Sequence, residues 1–479
     1  MTTKRINRRQ FIGTTSLGAA MTAGASFWGA RSAFAQGAPN VVPLGAPDKD
    51  RYFILCYFGG GWDILLSMDP RDPQLFTDQA VAETRIQPAY NRLRSTFQGD
   101  AVYLANRMTH AGHPTPTSLG AYLGELVDEP YRSKVAVVRG INMSTLAHGV
   151  GPVRARTGRP PSGNNPRGSS AATWLARHYA RGEIAPNFSV GEPVYNMDQP
   201  VAFDPLVSRG GSLVNVLRPS GWVTRMPDPS RTLIDGFLAN QYPCSQAGQS
   251  GYMESARTGR LGTNLLLSRD LAGAFDFSTN DQAMADIRAH FGFATYESDS
   301  PGARAATAVR ALTTGFARVV SLPLSANMDT HFSDWETDQG ENQLDAFTLI
   351  ARMMDALEAT PMGDGSGESF LDRTTIVAYS DFSRSPTINK MSGRDHWLIS
   401  SMFLAGADIN GGTVVGYSSD VGMRAGFIDT TTGATDPVNG VELRPAHVWQ
   451  SLFYAAGFDM NVDIADMRVN PLLPLIRNA

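Results

Sequence analysis

The chain of 479 residues is poor in cysteine, lysine and charge. Its two cysteines, Cys56 and Cys244, cannot build a disulfide framework, and neither sits in a CxxC pair of the kind that holds zinc. Cys56 falls in an apolar run and reads as a small core residue; Cys244 falls in a polar stretch and reads as a free loop thiol. Lysine occurs only at 4, 49, 134 and 390, and the other bases are arginine. Charged residues make up 18% against 42% hydrophobic, a balance that excludes a disordered chain. The 47 glycines and 29 prolines imply long loops without low complexity. The first 35 residues hold no acid. Without them, 45 acidic residues stand against 36 basic ones, so the remainder has no bulk attraction to nucleic acid or anionic lipid. No later apolar run is long enough to span a bilayer, so no stable membrane span is expected in the mature chain.

The N-terminus carries the first positive signal. Asn7-Arg8-Arg9-Gln10-Phe11-Ile12-Gly13 resembles a twin-arginine export motif. A mildly apolar stretch from Phe11 to Trp28 follows, then Ala33-Phe34-Ala35 as an A-x-A cleavage site. The expected organisation is a signal peptide over 1–35, a Pro/Gly/Ala linker over 36–50, and a single α/β domain over 51–479. That domain would carry a loop-rich insertion at about 191–262. The twin-arginine translocation machinery is then a partner, and the mature protein is expected to be periplasmic or secreted.

Tyr52 to Phe58 is a continuous apolar run, as in a strand buried on both faces. Similar runs are Val135 to Val138, Val319 to Leu324, Thr374 to Tyr379 and Ser401 to Leu404. Helical patterns lie between them: from Ser169 or Ser170 through Ala180, Gln282 to His290, and Ala303 to Phe316. A fourth is the apolar face of Leu344, Phe347, Ala351, Met354 and Leu357, and a last begins at Pro445 and runs through Ala456. Strands alternating with helices predict an α/β fold with a mainly parallel central sheet covered by helices on both faces.

In such sheets ligands bind at the carboxyl ends of the strands. Asp63 follows the first run, Ser144, Thr145 and His148 the second, and Asp329 and His331 the third. Asp381 and Arg384 follow the fourth, with Arg394-Asp395-His396-Trp397 soon after. In extended backbone Asp329 and His331 point to the same side, so a carboxylate and an imidazole can share one ion. Asp395-His396 offers a further imidazole, or a carboxylate that orients one. This mixed nitrogen and oxygen set suits zinc, manganese or iron, and such an ion can activate water or neutralise an anionic substrate oxygen. Each residue also has a plainer reading. Asp63 and Asp381 fit turn or cap positions, Ser144 and Thr145 turn hydroxyls, and Arg384 and Arg394 partners of loop carboxylates. Gly59 to Gly61 can form an anion-holding nest or simply a tight turn, and His447 at a helix start reads as structural.

The same stretches carry a resemblance. They are Phe58-Gly59-Gly60-Gly61-Trp62-Asp63, His113-Pro114, Asp329-Thr330-His331, Ser380-Asp381-Phe382-Ser383-Arg384-Ser385-Pro386 and Gly393-Arg394-Asp395-His396-Trp397. With the twin-arginine start they resemble the exported bacterial family catalogued as domain of unknown function 1501. That family resembles the alkaline phosphatase and sulfatase superfamily, whose enzymes hold metals at the carboxyl edge of a mixed sheet. The resemblance implies that Asp329, His331 and His396 hold one metal, and that Asp63, Asp381 and the hydroxyl of Ser144 or Thr145 face a second. The sequence departs from the superfamily where Phe382, not histidine, follows Asp381, and it has no sulfatase nucleophile motif.

Two functions are therefore expected. In the first, the protein is an exported metal-dependent hydrolase that cleaves a small anionic phosphate or sulfate ester. Asp329, His331, Asp395 and His396 serve the metal, with Asp63 and Asp381 holding a second ion or orienting water. Ser144 or Thr145 is the nucleophile, and Arg384 or Arg394 clamps the substrate. In the alternative, it is a non-catalytic exported binding or envelope-assembly protein that keeps the fold.

Overall fold

A computed structural model describes residues 50–218, 228–240, 271–458 and 467–477. The expected signal peptide at 1–35, the linker at 36–50 except its last residue, Cys244 and much of the segment 191–262 lie outside the described residues.

Twelve strands position the site. In chain order they are β1 (Tyr52–Phe58), β2 (Tyr103–His110), β3 (Thr117–Gly120), β4 (Val135–Asn142), β5 (Asn187–Ser189) and β6 (Leu206–Val207). They continue with β7 (Val319–Ser325), β8 (Thr374–Ser380), β9 (Ser383–Arg384), β10 (His396–Trp397), β11 (Ile399–Gly406) and β12 (Thr413–Val415). All but β9 and β10 join one ten-stranded sheet in the order β3-β2-β12-β4-β11-β8-β1-β7-β5-β6. The sheet is mixed but mostly parallel, and only β3 and β11 run against their neighbours. β1 lies between β7 and β8, which explains its unbroken apolar run: Phe53, Ile54, Leu55, Cys56 and Phe58 are all buried. Each large apolar side chain so buried contributes about 1.5–3 kcal/mol. Burial pushes the Cys56 thiol well above its usual range, as fits a core residue.

The fifth apolar run reverses direction for a topological reason. Parallel neighbours need a crossover, but β8 reaches β11 through the short β9–β10 hairpin at the same sheet edge, so β11 returns antiparallel. The start of β11 therefore lies beside the end of β4, with Ile399 opposite Asn142.

The helices that matter here are α1 (Gly151–Thr157), α2 (Ala171–Tyr179), α3 (Gln282–Phe291), α4 (Pro301–Thr313), α5 (Asp338–Glu358) and α6 (Pro445–Ala455). Their ends follow local chemistry. Asp281 accepts from the Met284 amide at the start of α3, and Gly292 ends it at φ 69°. Ser300 caps α4, with Pro301 in its first turn, so α4 begins before Ala303. α5 buries Phe347, Ile350, Ala351, Met354 and Leu357 along one face.

The chain divides into two compact units. One spans Gly45–Gln199, Pro205–Gly210 and Phe277–Ala479 and carries the whole sheet. The other holds, among the described residues, Pro200–Asp204, 211–218 and helices Asp228–Asn240 and Leu271–Phe275. Among the described residues, no helix is long and apolar enough to cross a membrane.

Candidate metal centre

The carboxyl edge of the sheet gathers loops from five strands. β1 ends in the Gly59-Gly60-Gly61 turn, β4 in the loop that carries His148, β7 in the loop of Asp329 and His331, and β8 in Asp381. β11 runs the other way, so the residues before it arrive at the same edge, and β10 places His396 opposite Arg384 of β9. The glycine turn is required by close approach. Gly60 has φ +106°, and a Cβ there would lie 2.7 Å from the Asp329 amide nitrogen.

Three imidazoles and one carboxylate converge. His148 Nε2 lies 3.2 Å from Asp329 Oδ1 and 3.1 Å from His396 Nε2. His331 Nε2 lies 2.8 Å from His396 Nε2 and 3.1 Å from Asp329 Oδ1, and His396 Nε2 lies 3.4 Å from Asp329 Oδ1. Ligand atoms arranged tetrahedrally about a zinc-sized ion sit about 3.3 Å apart, so these separations match a shared ion. His148, Asp329 and His396 make one triad whose ligand atoms all lie within 4.8 Å of one another.

Each ring is held by its other nitrogen. His148 Nδ1 is 2.5 Å from Asp381 Oδ2, His396 Nδ1 is 2.7 Å from the Leu146 carbonyl, and His331 Nδ1 is 3.3 Å from Asp395 Oδ1. These acceptors favour a proton on every Nδ1, which leaves three Nε2 lone pairs facing one another and Asp329. Lone pairs so placed repel unless a cation sits between them, and metal-bound histidines are oriented by acceptors of this kind. The residues therefore fit a divalent ion.

A further layer sets the orienting groups. Asp381 is buried; Tyr57 Oη donates to its Oδ1, and the Gly60 amide reaches Oδ2 at 3.3 Å. Burial and the Asp381 charge push the Tyr57 hydroxyl far above its usual range, so it stays a donor. The hydrogen bond from His148 to Asp381 raises the His148 pKa, while burial lowers that of His396. Burial alone would raise Asp329, but Arg384, with His148 and His331, outweighs it and holds the carboxyl at about 2. Asn389, which donates to Asp395 at 2.9 Å, lowers that carboxyl against a smaller effect of burial, and His331 adds to the lowering. Phe382 is fully buried, with ring centroids 4.8 Å from His148 and 4.5 Å from His396, and makes an apolar wall behind both imidazoles.

The structure sets several sequence-expected residues in other roles. Asp63 is fully buried away from the cluster, where its Oδ2 lies 2.9 Å from Arg394 Nε and accepts from Trp335 Nε1 at 2.8 Å. Arg394 is equally buried, with its guanidinium 4.6 Å from the Trp335 ring centre, so it pairs with Asp63 rather than facing a substrate. Arg384 touches the cluster, but its donors are engaged: Nε with the Gly61 carbonyl, Nη2 with the Gly60 carbonyl and Asp329 Oδ1, Nη1 with the Arg394 carbonyl and His331. Ser144 and Thr145 serve a turn. The Ser144 amide reaches Asn142 Oδ1 at 2.7 Å and the Ala147 amide reaches Thr145 Oγ1 at 3.1 Å. Asp381 and Asp395 orient histidines instead of joining the convergent atoms, and His447 Nδ1 caps α6 by accepting from the Arg444 amide at 3.0 Å.

Two residues of the site received no role from the sequence. His148 is among the strand-end residues, but nothing in the spacing links it to Asp329 or His396. Tyr57 looks like one more apolar strand residue; as the only half-buried member of β1 it is distinguished by burial, which the sequence does not display.

A groove of about 520 Å³ opens beside Asp329 and is lined by three further carboxylates, Asp334, Asp338 and Glu341, and, among the described residues, by no basic side chain. Neither the curated proteins nor the solved structures contain a match to this chain. A family profile does match, over residues 121–431, a span that holds His148, Asp329, His331 and His396. By that match the chain belongs to the family described as "Protein of unknown function (DUF1501)".

Proposed function

We propose that this protein is a metal-dependent hydrolase with His148, Asp329, His331 and His396 as its ligand set. The observation that carries the reading is the convergence of three Nε2 atoms and Asp329 Oδ1, with every Nδ1 tied to an acceptor behind it. A divalent zinc, manganese or iron ion would supply Lewis acidity and activate water. The chain's own part is to hold and aim. Asp381, Asp395 and the Leu146 carbonyl orient the rings, Arg384 fixes Asp329, and Phe382 excludes water from behind. The exposed side of Asp329, 51% accessible, leaves an open approach.

The substrate class rests on resemblance to the alkaline phosphatase and sulfatase superfamily, which favours a phosphate or sulfate ester and an alkaline-phosphatase-like form of the mixed sheet. The acidic groove beside Asp329 supports an ester whose remaining portion is neutral or cationic, because four carboxylates repel a second anionic group. The twin-arginine start supports export to the periplasm or beyond.

A second reading, a non-catalytic exported binding or envelope-assembly protein with a structural ion, is favoured by the engagement of Ser144, Thr145 and Arg384 in internal contacts. One experiment separates the two. Protein purified from the exported fraction without chelator or histidine tag is analysed for metals and assayed on aryl phosphate and aryl sulfate esters. Bound metal with turnover, both lost in the His331→Ala/His396→Ala double variant, supports the hydrolase. Bound metal without turnover supports the second reading. No metal after reconstitution overturns the metal centre itself.

A further inference from the structure

The β9–β10 hairpin presents two faces. Arg384 and His396, paired across it, enter the metal cluster. Ser385 and Trp397, each one residue further along, line a different cavity, as the alternation of extended chain requires. This second groove encloses about 390 Å³.

Its composition is unlike that of the acidic groove beside Asp329. Trp397, Pro386, Val81 and Val421 give it an apolar lining, and among the described residues Arg85 and Arg424 are its only charged groups. The indole is fixed, since Trp397 Nε1 donates to the Met423 carbonyl at 3.2 Å. The walls are tied by the Gly422 amide, which donates to the Thr84 carbonyl at 2.7 Å. Both arginines are exposed, and among the described residues neither guanidinium has an ion-pair or hydrogen-bond partner. By contrast, Arg71, Arg139, Arg156, Arg318 and Arg384 are each engaged by carboxylates or carbonyls. Two unpaired guanidiniums beside a fixed aromatic face make a recognition surface for a ring that bears an anion.

We infer that this groove binds an acidic sugar, with the ring against Trp397 and its carboxylate or sulfate between Arg85 and Arg424. The site stands apart from the metal reading, because none of its lining residues belongs to the ligand set. Binding is measured by calorimetry on the full mature chain as purified, with a glucuronate-containing disaccharide, its sulfated counterpart and the neutral disaccharide cellobiose. Binding of at least one acidic probe, tenfold or more tighter than cellobiose and weakened by salt, is expected. The Arg85→Gln/Arg424→Gln variant is expected to lose tenfold or more of it with unchanged metal content. The relative strength of the two acidic probes tells carboxylate from sulfate. Equal binding of neutral and acidic probes, binding by none, or full binding by the double variant overturns the inference. Loss of metal or turnover elsewhere leaves it standing, so its failure and that of the hydrolase reading are distinguishable.

Discussion

Asp381 Oδ2 and His148 Nδ1 meet at 2.5 Å, and this contact turns His148 Nε2 toward Asp329 and His396. Asp381 is buried at the end of β8, whereas His148 sits on the half-exposed loop after β4. A core carboxylate thus aims a surface imidazole, and the expected consequences can be measured.

His148→Ala and His331→Ala are each expected to lower the metal content of the purified chain. Chelation of the parent protein is expected to lower its stability by about 3 kcal/mol if the ion is present at a hundredfold excess over its Kd. Thermal unfolding with and without chelator, beside elemental analysis, checks both. An identical Tm in the two conditions would count against a bound ion.

Tyr57→Phe removes a donor to Asp381 without touching a ligand atom. Groups behind the ligands typically tune affinity by about 10–100-fold, so the variant is expected to bind metal that much more weakly. Competition with a chromophoric chelator reads the affinity. A fall in Tm with unchanged affinity would make Tyr57 a structural residue only.

Asp63→Ala leaves the buried Arg394 guanidinium with backbone carbonyls but no counter-charge, a change expected to cost about 3–5 kcal/mol. Denaturant unfolding measures the loss. Metal per folded chain is expected to stay at the parent level, because Asp63 faces Trp335 and Arg394 rather than the cluster. Loss of metal from a chain that still folds would overturn this placement.

Burial holds His447 at about 4, below the ordinary histidine value, and the neutral ring accepts from the Arg444 amide. The unfolded chain therefore binds the proton more readily, so stability contributed by neutral His447 is present above about pH 6.5 and is lost as the pH falls toward 4. The full effect is at most about 3 kcal/mol. His447→Gln, which keeps an acceptor without a titrating ring, is expected to flatten the dependence of Tm on pH across that window. An unchanged slope would place the acid sensitivity elsewhere.

Much of this architecture is legible in the amino-acid order. Unbroken apolar runs at Tyr52 to Phe58 and Thr374 to Tyr379 mark strands buried on both faces, since only such strands need no polar side. The spacing of Asp329 and His331 brings their side chains to one side of an extended loop, while Thr330 between them turns inward to Gln339. Family membership is likewise carried by sequence motifs.

Other features depend on contacts between residues hundreds of positions apart. The order contains no instruction that β11 runs backward; that follows from the return of the chain at one sheet edge. Asp63 and Asp381 both follow strands, yet one turns inward to Arg394 and the other lies under His148, because the side chains packed around each loop decide where a carboxylate can be satisfied. Local sequence by itself determined the five apolar strands at the centre of the sheet and the set of polar residues delivered to the carboxyl edge. Only the tertiary structure decided which of them meet, because the direction of a loop side chain is set by long-range packing and hydrogen bonding, not by spacing along the chain.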